Sequence, residues 1–250
     1  IDANSSWPDV VAQVAGRADP TLKTRPFHLS CLGNVDLSGS EAGFRSYYAG
    51  PAALNPGPDL DFYFAFRMSS LLRFVALDTD HACDGQLMWL QAQLAAATEP
   101  WVIPIMHHMM YWGAEDGEPG ADDALRVPWA RAFEAHGVRL MFHGHAHGYQ
   151  RTHPLRECAR DDLLGVMYWA ISNACTNRPM SSPPTTGTWS MGTDTWDVEE
   201  AYAFGLVGPE KRHAVLRLHV KPRSLRIEAF EPTGSGFGAA LDSVTLTKRI

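Results

Sequence analysis

The sequence lacks long apolar runs and has no excess of positive charge. Its longest apolar stretches, Trp101–Met106 and 165–171, are far shorter than the roughly 18 residues that a membrane-spanning helix needs. Acidic residues outnumber basic ones, 28 to 21, which gives a net charge of −7. Such a chain does not attract a nucleic-acid backbone or an anionic membrane surface by electrostatics. We therefore expect neither nucleic acid nor a membrane among its partners.

Cysteine is scarce as well, and its spacing argues against a zinc ribbon. The four cysteines are Cys31, Cys83, Cys158 and Cys175, and they form no C-x-x-C pair. Cys158 and Cys175 bracket a short segment and can form a disulfide in an oxidising compartment. The glycosylation sequon Asn4-Ser5-Ser6 also indicates secretion. We expect an extracellular or other oxidising location.

The chain begins at Ile1, without an initiator methionine and without the basic and apolar regions of a signal peptide. It therefore looks cut from a longer protein. Its 250 residues, 45% hydrophobic and 20% charged, suffice for one globular domain with a substantial core. We found no internal repeat or linker and expect a single domain over residues 1–250.

Hydrophobic periodicity predicts alternating strands and helices as far as residue 171. Apolar or alternating runs predict strands at 62–66, 71–77, 101–106, 138–142 and 165–171. Leucines at i, i+3 and i+7 predict a helix over 86–97. A second helix is predicted with Pro128 in its first turn and Gly137 as its stop. This order of elements is typical of a layered α/β domain.

The pattern changes after residue 179. Residues 179–196 are rich in Pro, Ser, Thr and Gly, which predicts a long surface loop. Apolar and polar residues then alternate over 214–220, 225–229 and 244–246. This period of two predicts antiparallel strands that bury one face.

Histidine is the most informative residue type. Of the eleven histidines, five lie at or just past the ends of predicted strands: His107, His108, His143, His145 and His147. Ligand sites in α/β sheets gather at strand ends, because loops from several strands meet there. Gly144 allows a sharp bend between the imidazoles. Imidazole binds zinc, iron and nickel, so the pattern predicts a metal site.

A second candidate loop follows the apolar segment 27–32. Gly33-Asn34-Val35-Asp36 alone would be typical of a turn. Together with the histidines, Asn34 becomes a candidate ligand, because its side-chain carbonyl oxygen can bind a divalent cation. Asp78 also lies at a strand end.

Three blocks resemble those of the calcineurin-like metallophosphoesterases, and of purple acid phosphatases in particular. Residues 33–36 resemble their Gly-Asn-His-Asp/Glu block, and His107-His108-Met109-Met110-Tyr111 resembles His-His-Pro-x-Tyr. Residues 144–154 resemble Gly-His-x-His-x-Tyr-x-Arg-x-x-Pro. The spacer at 74–79 and 86–90 is also similar, and the resemblance implies a mainly structural role for Asp78 within it. The blocks occur in order, and the resemblance runs from about Trp7 to the C-terminus.

The resemblance implies a four-layer α/β/β/α sandwich, of which this chain would be the C-terminal two-thirds. A preceding segment or a second chain would supply the absent N-terminal part. The implied activity is acid-phosphatase-type hydrolysis of phosphate monoesters at two metal ions, iron with zinc, manganese or iron. Asn34, His107 and His145 would bind one metal, His147 would bind the other, and His108 would be catalytic. A metal-held water would attack phosphorus in line.

Three departures from the family pattern affect this interpretation. The upstream Asp-x-Gly and Gly-Asp-x-x-Tyr blocks do not occur before Asn34, so only one ligand set is nearly complete. Val35 stands where the family has a phosphate-contacting His. Loss of one such donor costs about 10²–10³ in rate. Met109 replaces a proline that shapes the loop.

Two alternatives to a phosphomonoesterase remain open. Val35 and the missing blocks favour a catalytically inactive metallophosphoesterase-like module with a binding or structural role. The other alternative is a phosphodiesterase of the wider superfamily. Tyr149 and Arg151, which belong to the purple acid phosphatase block, argue against the phosphodiesterase.

Overall fold

The computed structural model describes residues 31–33, 63–108, 110–111, 123–145, 149–171, 188–191, 194–197, 202–205, 214–233 and 236–248. These ranges contain helices α1 (Asp84–Ala95) and α2 (Asp123–Ala135). The first eight strands are β1 (Phe64–Arg67), β2 (Leu72–Ala76), β3 (Trp101–Met106), β4 (Leu140–His143), β5 (Tyr149–Thr152), β6 (Leu155–Arg156), β7 (Ala159–Arg160) and β8 (Met167–Ile171). The other six are β9 (Thr188–Met191), β10 (Asp194–Asp197), β11 (Tyr202–Gly205), β12 (Val215–Val220), β13 (Ser224–Thr233) and β14 (Gly236–Thr247).

A seven-stranded mixed sheet forms the centre of the fold. Its strand order is β1-β2-β3-β4-β8-β5-β11. The four middle strands β2, β3, β4 and β8 are parallel, whereas β1, β5 and β11 pair antiparallel with their neighbours. The middle strands are rich in apolar residues because both faces of this sheet are covered.

Successive side chains of the middle strands enter two separate hydrophobic clusters. Val75 and Met141 pack in one cluster with residues of α1 and α2. Ile103 and Trp169, which point to the opposite face, pack in the other cluster with residues of β12, β13 and β14. The period of two along each strand thus divides the core into a helical side and a sheet side.

The second sheet has three antiparallel strands in the order β12-β13-β14. Leu225, Ile227 and Ala229 of β13 are fully buried against the central sheet, whereas Arg217 and Arg226 point outward and are exposed. The structure therefore confirms the predicted α/β class, with helices, a mixed sheet and a second sheet in layers. Neither helix of the described ranges covers the outer face of the second sheet, where the expected fourth layer would lie.

Two local predictions were wrong. Helix α2 begins at Asp123, so Pro128 lies inside the helix and not in its first turn. Burial of Trp129 and Phe133 outweighs the backbone hydrogen bond that a proline removes. The segment 179–196 is not one continuous loop, since β9 and β10 form an antiparallel pair in which Trp189 is opposite Trp196. Period-two signals in four-residue strands are too short to outweigh a loop-like composition.

In the part of the chain that the structure describes, no helix has the length and hydropathy needed to cross a membrane.

Candidate metal centre

The loops that follow the parallel strands β3 and β4 lie side by side at one edge of the central sheet. β3 leads into His107 and His108, and β4 leads into Gly144 and His145. The Gly144 N–H donates to the His107 carbonyl oxygen over 3.0 Å. Parallel strands end at the same edge of a sheet, and this backbone bond fixes the two histidine loops against each other.

Three imidazoles converge at this edge. His107 Nε2 and His145 Nδ1 are 3.1 Å apart, and the ring of His108 lies 5.2 Å from that of His107 and 4.7 Å from that of His145, centroid to centroid. One ring nitrogen from each residue lies within 4.8 Å of the others. This spacing lets a single cation contact all three residues after small side-chain rotations.

The backbone of His145 has an unusual conformation. Its φ is 65°, in the left-handed region that few non-glycine residues adopt. Such conformations persist where the surrounding structure enforces them, and they cluster at functional sites. Here the conformation turns the chain directly after β4, where the ring of His145 meets that of His107.

Gly33 packs directly against the ring of His107. A Cβ built on Gly33 would lie 2.7 Å from His107 Nδ1 and 2.8 Å from its Cε1. Only a residue without a side chain allows this approach. Gly33 follows the fully buried Leu32 and directly precedes Asn34 in the sequence, so the structure places the residue before the predicted ligand at the histidine cluster.

The environment keeps the rings of His107 and His143 neutral. Burial, together with the neighbouring rings of His145 and His108, lowers the pKa of His107 to about 3. Burial lowers the pKa of His143 to about 4, although a contact with the Gly144 carbonyl oxygen opposes the shift. Metal ligation requires the neutral imidazole, so the donor set fits a cation such as Zn²⁺ or Fe²⁺.

The structure describes only some of the predicted site residues. The structure brings His107 and His145 together and adds His108 to the same cluster. Asn34 and His147 lie outside the described residues, so convergence of the full predicted ligand set stays a prediction. His143 is buried at the end of β4 and does not belong to the three-histidine cluster.

A turn after β2 adjoins the site, and the sequence analysis did not predict it as part of the site. The N–H of His108 donates to Thr79 Oγ1 over 3.1 Å, and Asp80 Oδ1 lies 3.6 Å from His108 Nε2. Asp78, assigned a structural role, accepts hydrogen bonds from the N–H groups of Asp80 and His81. The available signal was the position of these residues at the carboxyl end of a parallel strand.

Asp242 is a second residue that sequence reasoning missed. Its carboxylate accepts two hydrogen bonds from Arg151, at 2.7 and 3.1 Å, and one from the Tyr149 hydroxyl at 3.1 Å. Burial and this carboxylate raise the pKa of Tyr149, so its hydroxyl stays protonated and donates. Asp242 continues the inward face of Val244 and Leu246, and a carboxylate at such a position needs a buried partner.

Comparison with known sequences identifies distant relatives. No family model matches the chain. A Mycobacterium tuberculosis protein named only as uncharacterised is 28% identical over 212 residues, which cover 71% of this chain and 39% of the relative. "Probable inactive purple acid phosphatase 24" of Arabidopsis thaliana is 27% identical over 239 residues, which cover 81% of this chain and 36% of the relative. The chain thus spans less than half the length of these curated relatives.

A solved structure shares the fold. The purple acid phosphatase PPD1 from yellow lupin (Lupinus luteus) seeds superimposes with a TM-score of 0.58 at 18% sequence identity, over 87% of this chain and 37% of that chain. This likeness establishes the mixed α/β fold of the purple acid phosphatases. Together with the named relatives, it supports a metallophosphoesterase-like superfamily for this chain.

Proposed function

We propose that the chain carries the metal site of a purple-acid-phosphatase-like enzyme that hydrolyses phosphate monoesters. The observation that carries the proposal is the convergence of His107, His108 and His145 at the carboxyl edge of the parallel strands. A histidine with a purely structural role usually lies alone in a core with its hydrogen bonds made, whereas three imidazole rings within ligand distance of one another suit a cation.

Within this proposal, Asn34, His107 and His145 hold one metal ion, and His147 contributes to a second. The contact of Gly33 with His107 supports the first set. Bound metal would polarise the phosphate ester and lower the pKa of a coordinated water. His108 lies in the same cluster, and within this proposal its ring acts on the substrate instead of binding the ion.

Val35 reduces the expected activity. The resembled family places at this position a histidine that contacts phosphate, and valine has no hydrogen-bond donor in its side chain. We therefore expect weak hydrolysis of an aryl phosphate by the chain of 250 residues. We also expect about one tightly held ion per chain, because one ligand set is nearly complete.

Metal analysis of paired histidine variants tests the proposal. His145→Ala removes a ligand, so bound zinc and metal-dependent hydrolysis should both disappear. His219→Ala is the matched control, since His219 is exposed on the second sheet and pairs with Glu228. That variant should keep the metal and the rate of the parent. Hydrolysis that survives His145→Ala and chelation would overturn the assignment.

A second candidate function is a catalytically inactive binding module. Val35 favours it, and the Arabidopsis relative carries the word inactive in its name. Such a module would keep the metal but hydrolyse no phosphate ester even after Val35→His. Metal content and turnover, measured on the same preparation, separate the two candidates.

We further propose an oxidising location with a Cys158–Cys175 disulfide. Cys158 Sγ lies 3.4 Å from the Tyr111 hydroxyl at the turn between β6 and β7, and Cys175 lies outside the described residues. Peptide mapping under non-reducing conditions tests the disulfide. Recovery of both cysteines as thiols from protein made in an oxidising compartment would contradict it.

A further inference from the structure

The turn after β2 contacts His108 at two points. Thr79 Oγ1 accepts a hydrogen bond from the His108 backbone N–H over 3.1 Å. Asp80 Oδ1 lies 3.6 Å from His108 Nε2, slightly beyond hydrogen-bond length. One contact holds the backbone of His108, and the other faces its ring.

Hydrogen bonds within the turn hold Asp80 in place. Asp78 Oδ1 accepts from the N–H of Asp80 at 2.9 Å and from that of His81 at 3.1 Å. Asp78 Oδ2 lies 2.8 Å from His81 Nδ1. These bonds fix the backbone on both sides of the Asp80 side chain, so the carboxylate has little freedom to turn away.

Helix α1 fixes the start of the turn. Gln86 donates from Nε2 to the Asp78 carbonyl oxygen and accepts at Oε1 from the Asp78 N–H, both over 2.9 Å. Gln86 is fully buried and Asp78 is 1% exposed. A glutamine that binds both backbone groups of one residue acts as a clamp, and the chain of contacts therefore runs from α1 to the ring of His108.

Burial distinguishes Asp80 from an ordinary surface carboxylate. Its side chain is 9% exposed and that of His108 is 27% exposed. Exposed pairs contribute little because water screens them and the side chains move. A sheltered carboxylate next to one ring nitrogen instead selects which nitrogen carries the hydrogen, and it fixes the plane of the ring.

We propose that Asp80 is a positioning residue for His108. Its carboxylate favours the tautomer with hydrogen on Nε2, which leaves the Nδ1 lone pair as the acceptor of the neutral ring. Asp80 acts only through His108 and touches no substrate. The inference rests on the proposed function in one respect, that His108 contacts the substrate.

Imidazole nitrogen spectra test the orientation without any metal or turnover. Long-range proton–nitrogen NMR of the metal-free protein at mildly alkaline pH should show His108 in the Nε2–H tautomer, with the signals assigned from their loss in His108→Ala. Asp80→Ala should give a mixture of tautomers. If that variant does not fold, Asp80→Asn, which keeps the shape, should shift the mixture in the same direction. A single unchanged tautomer in the folded variant would overturn the inference.

Kinetics separate positioning from general damage. Asp80→Ala should lower kcat/KM for an aryl phosphate by about 10–100-fold, because small displacements of a reacting group are costly, while metal affinity stays unchanged. In a His108→Ala background the same substitution should have no further effect. An equal loss in both backgrounds would overturn the inference. Glu228→Gln, which alters the exposed pair with His219, is the matched control and should change neither readout.

The NMR and kinetic measurements together also separate this inference from the proposed function. A parent chain that binds no metal and hydrolyses nothing would refute the phosphatase, yet the tautomer measurement would still decide the role of Asp80. A parent that is active, combined with an unchanged tautomer in Asp80→Ala, would refute the positioning role alone.

Discussion

Gly33 and His107 touch so closely that any side chain on Gly33 would overlap the imidazole. A Cβ at that position would lie 2.7 Å from Nδ1 and 3.1 Å from Cγ of His107. The segment that precedes Asn34 therefore packs closely against the loop that follows β3, and this packing requires a residue without a side chain at position 33. This contact yields a direct test of the site.

Gly33→Ala should weaken metal binding. The added methyl group must push the His107 ring away from His145, and loss of ligand orientation typically costs about 10–100-fold in metal affinity. Competition with a chromophoric chelator measures the change. Gly238→Ala is the control, because its new Cβ would meet neighbours at 3.6 Å, an ordinary contact distance. Equal affinities for the two variants would contradict a role of the Gly33 contact in the site.

Asp242→Ala should destabilise the fold and loosen the site together. It leaves the Arg151 guanidinium, whose side chain is 13% exposed, without its carboxylate, and such a loss costs about 3–5 kcal/mol. Urea unfolding measures this cost. β5, which carries Arg151, begins two residues after His147, so metal affinity should fall as well.

Glu99→Gln provides the comparison for Asp242→Ala. Glu99 is a buried carboxylate that binds Arg73. It lies just before the first residue of β3, at the opposite end of the parallel strands from the histidines. Its loss should lower the unfolding free energy but leave metal affinity intact. If both variants reduce metal affinity in proportion to lost stability, the Arg151–Asp242 pair has no specific link to the site.

The metal-free protein should lose stability as pH falls below about 6.5. The pKa of His107 is lowered from 6.5 to about 3, so between these values the unfolded chain binds a proton that the native chain excludes. Stability therefore rises with pH across this window, by at most about 1.4 kcal/mol per pH unit for each such proton. His107→Gln should flatten the slope in urea titrations performed with a chelator, whereas His219→Gln should not. An unchanged slope in His107→Gln would show that this ring does not titrate as described.

The sequence predicted best those features that depend on short-range periodicity. β3 was predicted with its observed bounds, and His107 and His145 were expected at strand ends, because strand periodicity and the order of parallel strands determine where those ends lie. The start of α2 was missed, since Pro128 is tolerated inside the helix by tertiary packing. Asp80 was missed because its place beside His108 depends on a turn held by Gln86, and such side-chain hydrogen bonds leave no periodic signal.

The last prediction concerns Val35. If the chain is a phosphatase with one missing donor, Val35→His should raise kcat/KM for an aryl phosphate by roughly 10–10³, the range expected for one recovered hydrogen bond to a developing charge. Val35→Ala is the control, because it changes the size of the side chain and adds no donor, and it should leave the rate near that of the parent. Both variants should bind the same amount of metal as the parent, since position 35 is not a proposed ligand.

A rate that rises only with histidine, and that disappears on adding His145→Ala, would establish a metal-dependent phosphatase weakened at one position. Intact metal binding without any gain in rate would instead favour the inactive module, because a recovered hydrogen-bond donor cannot raise the rate of a site that does not catalyse hydrolysis.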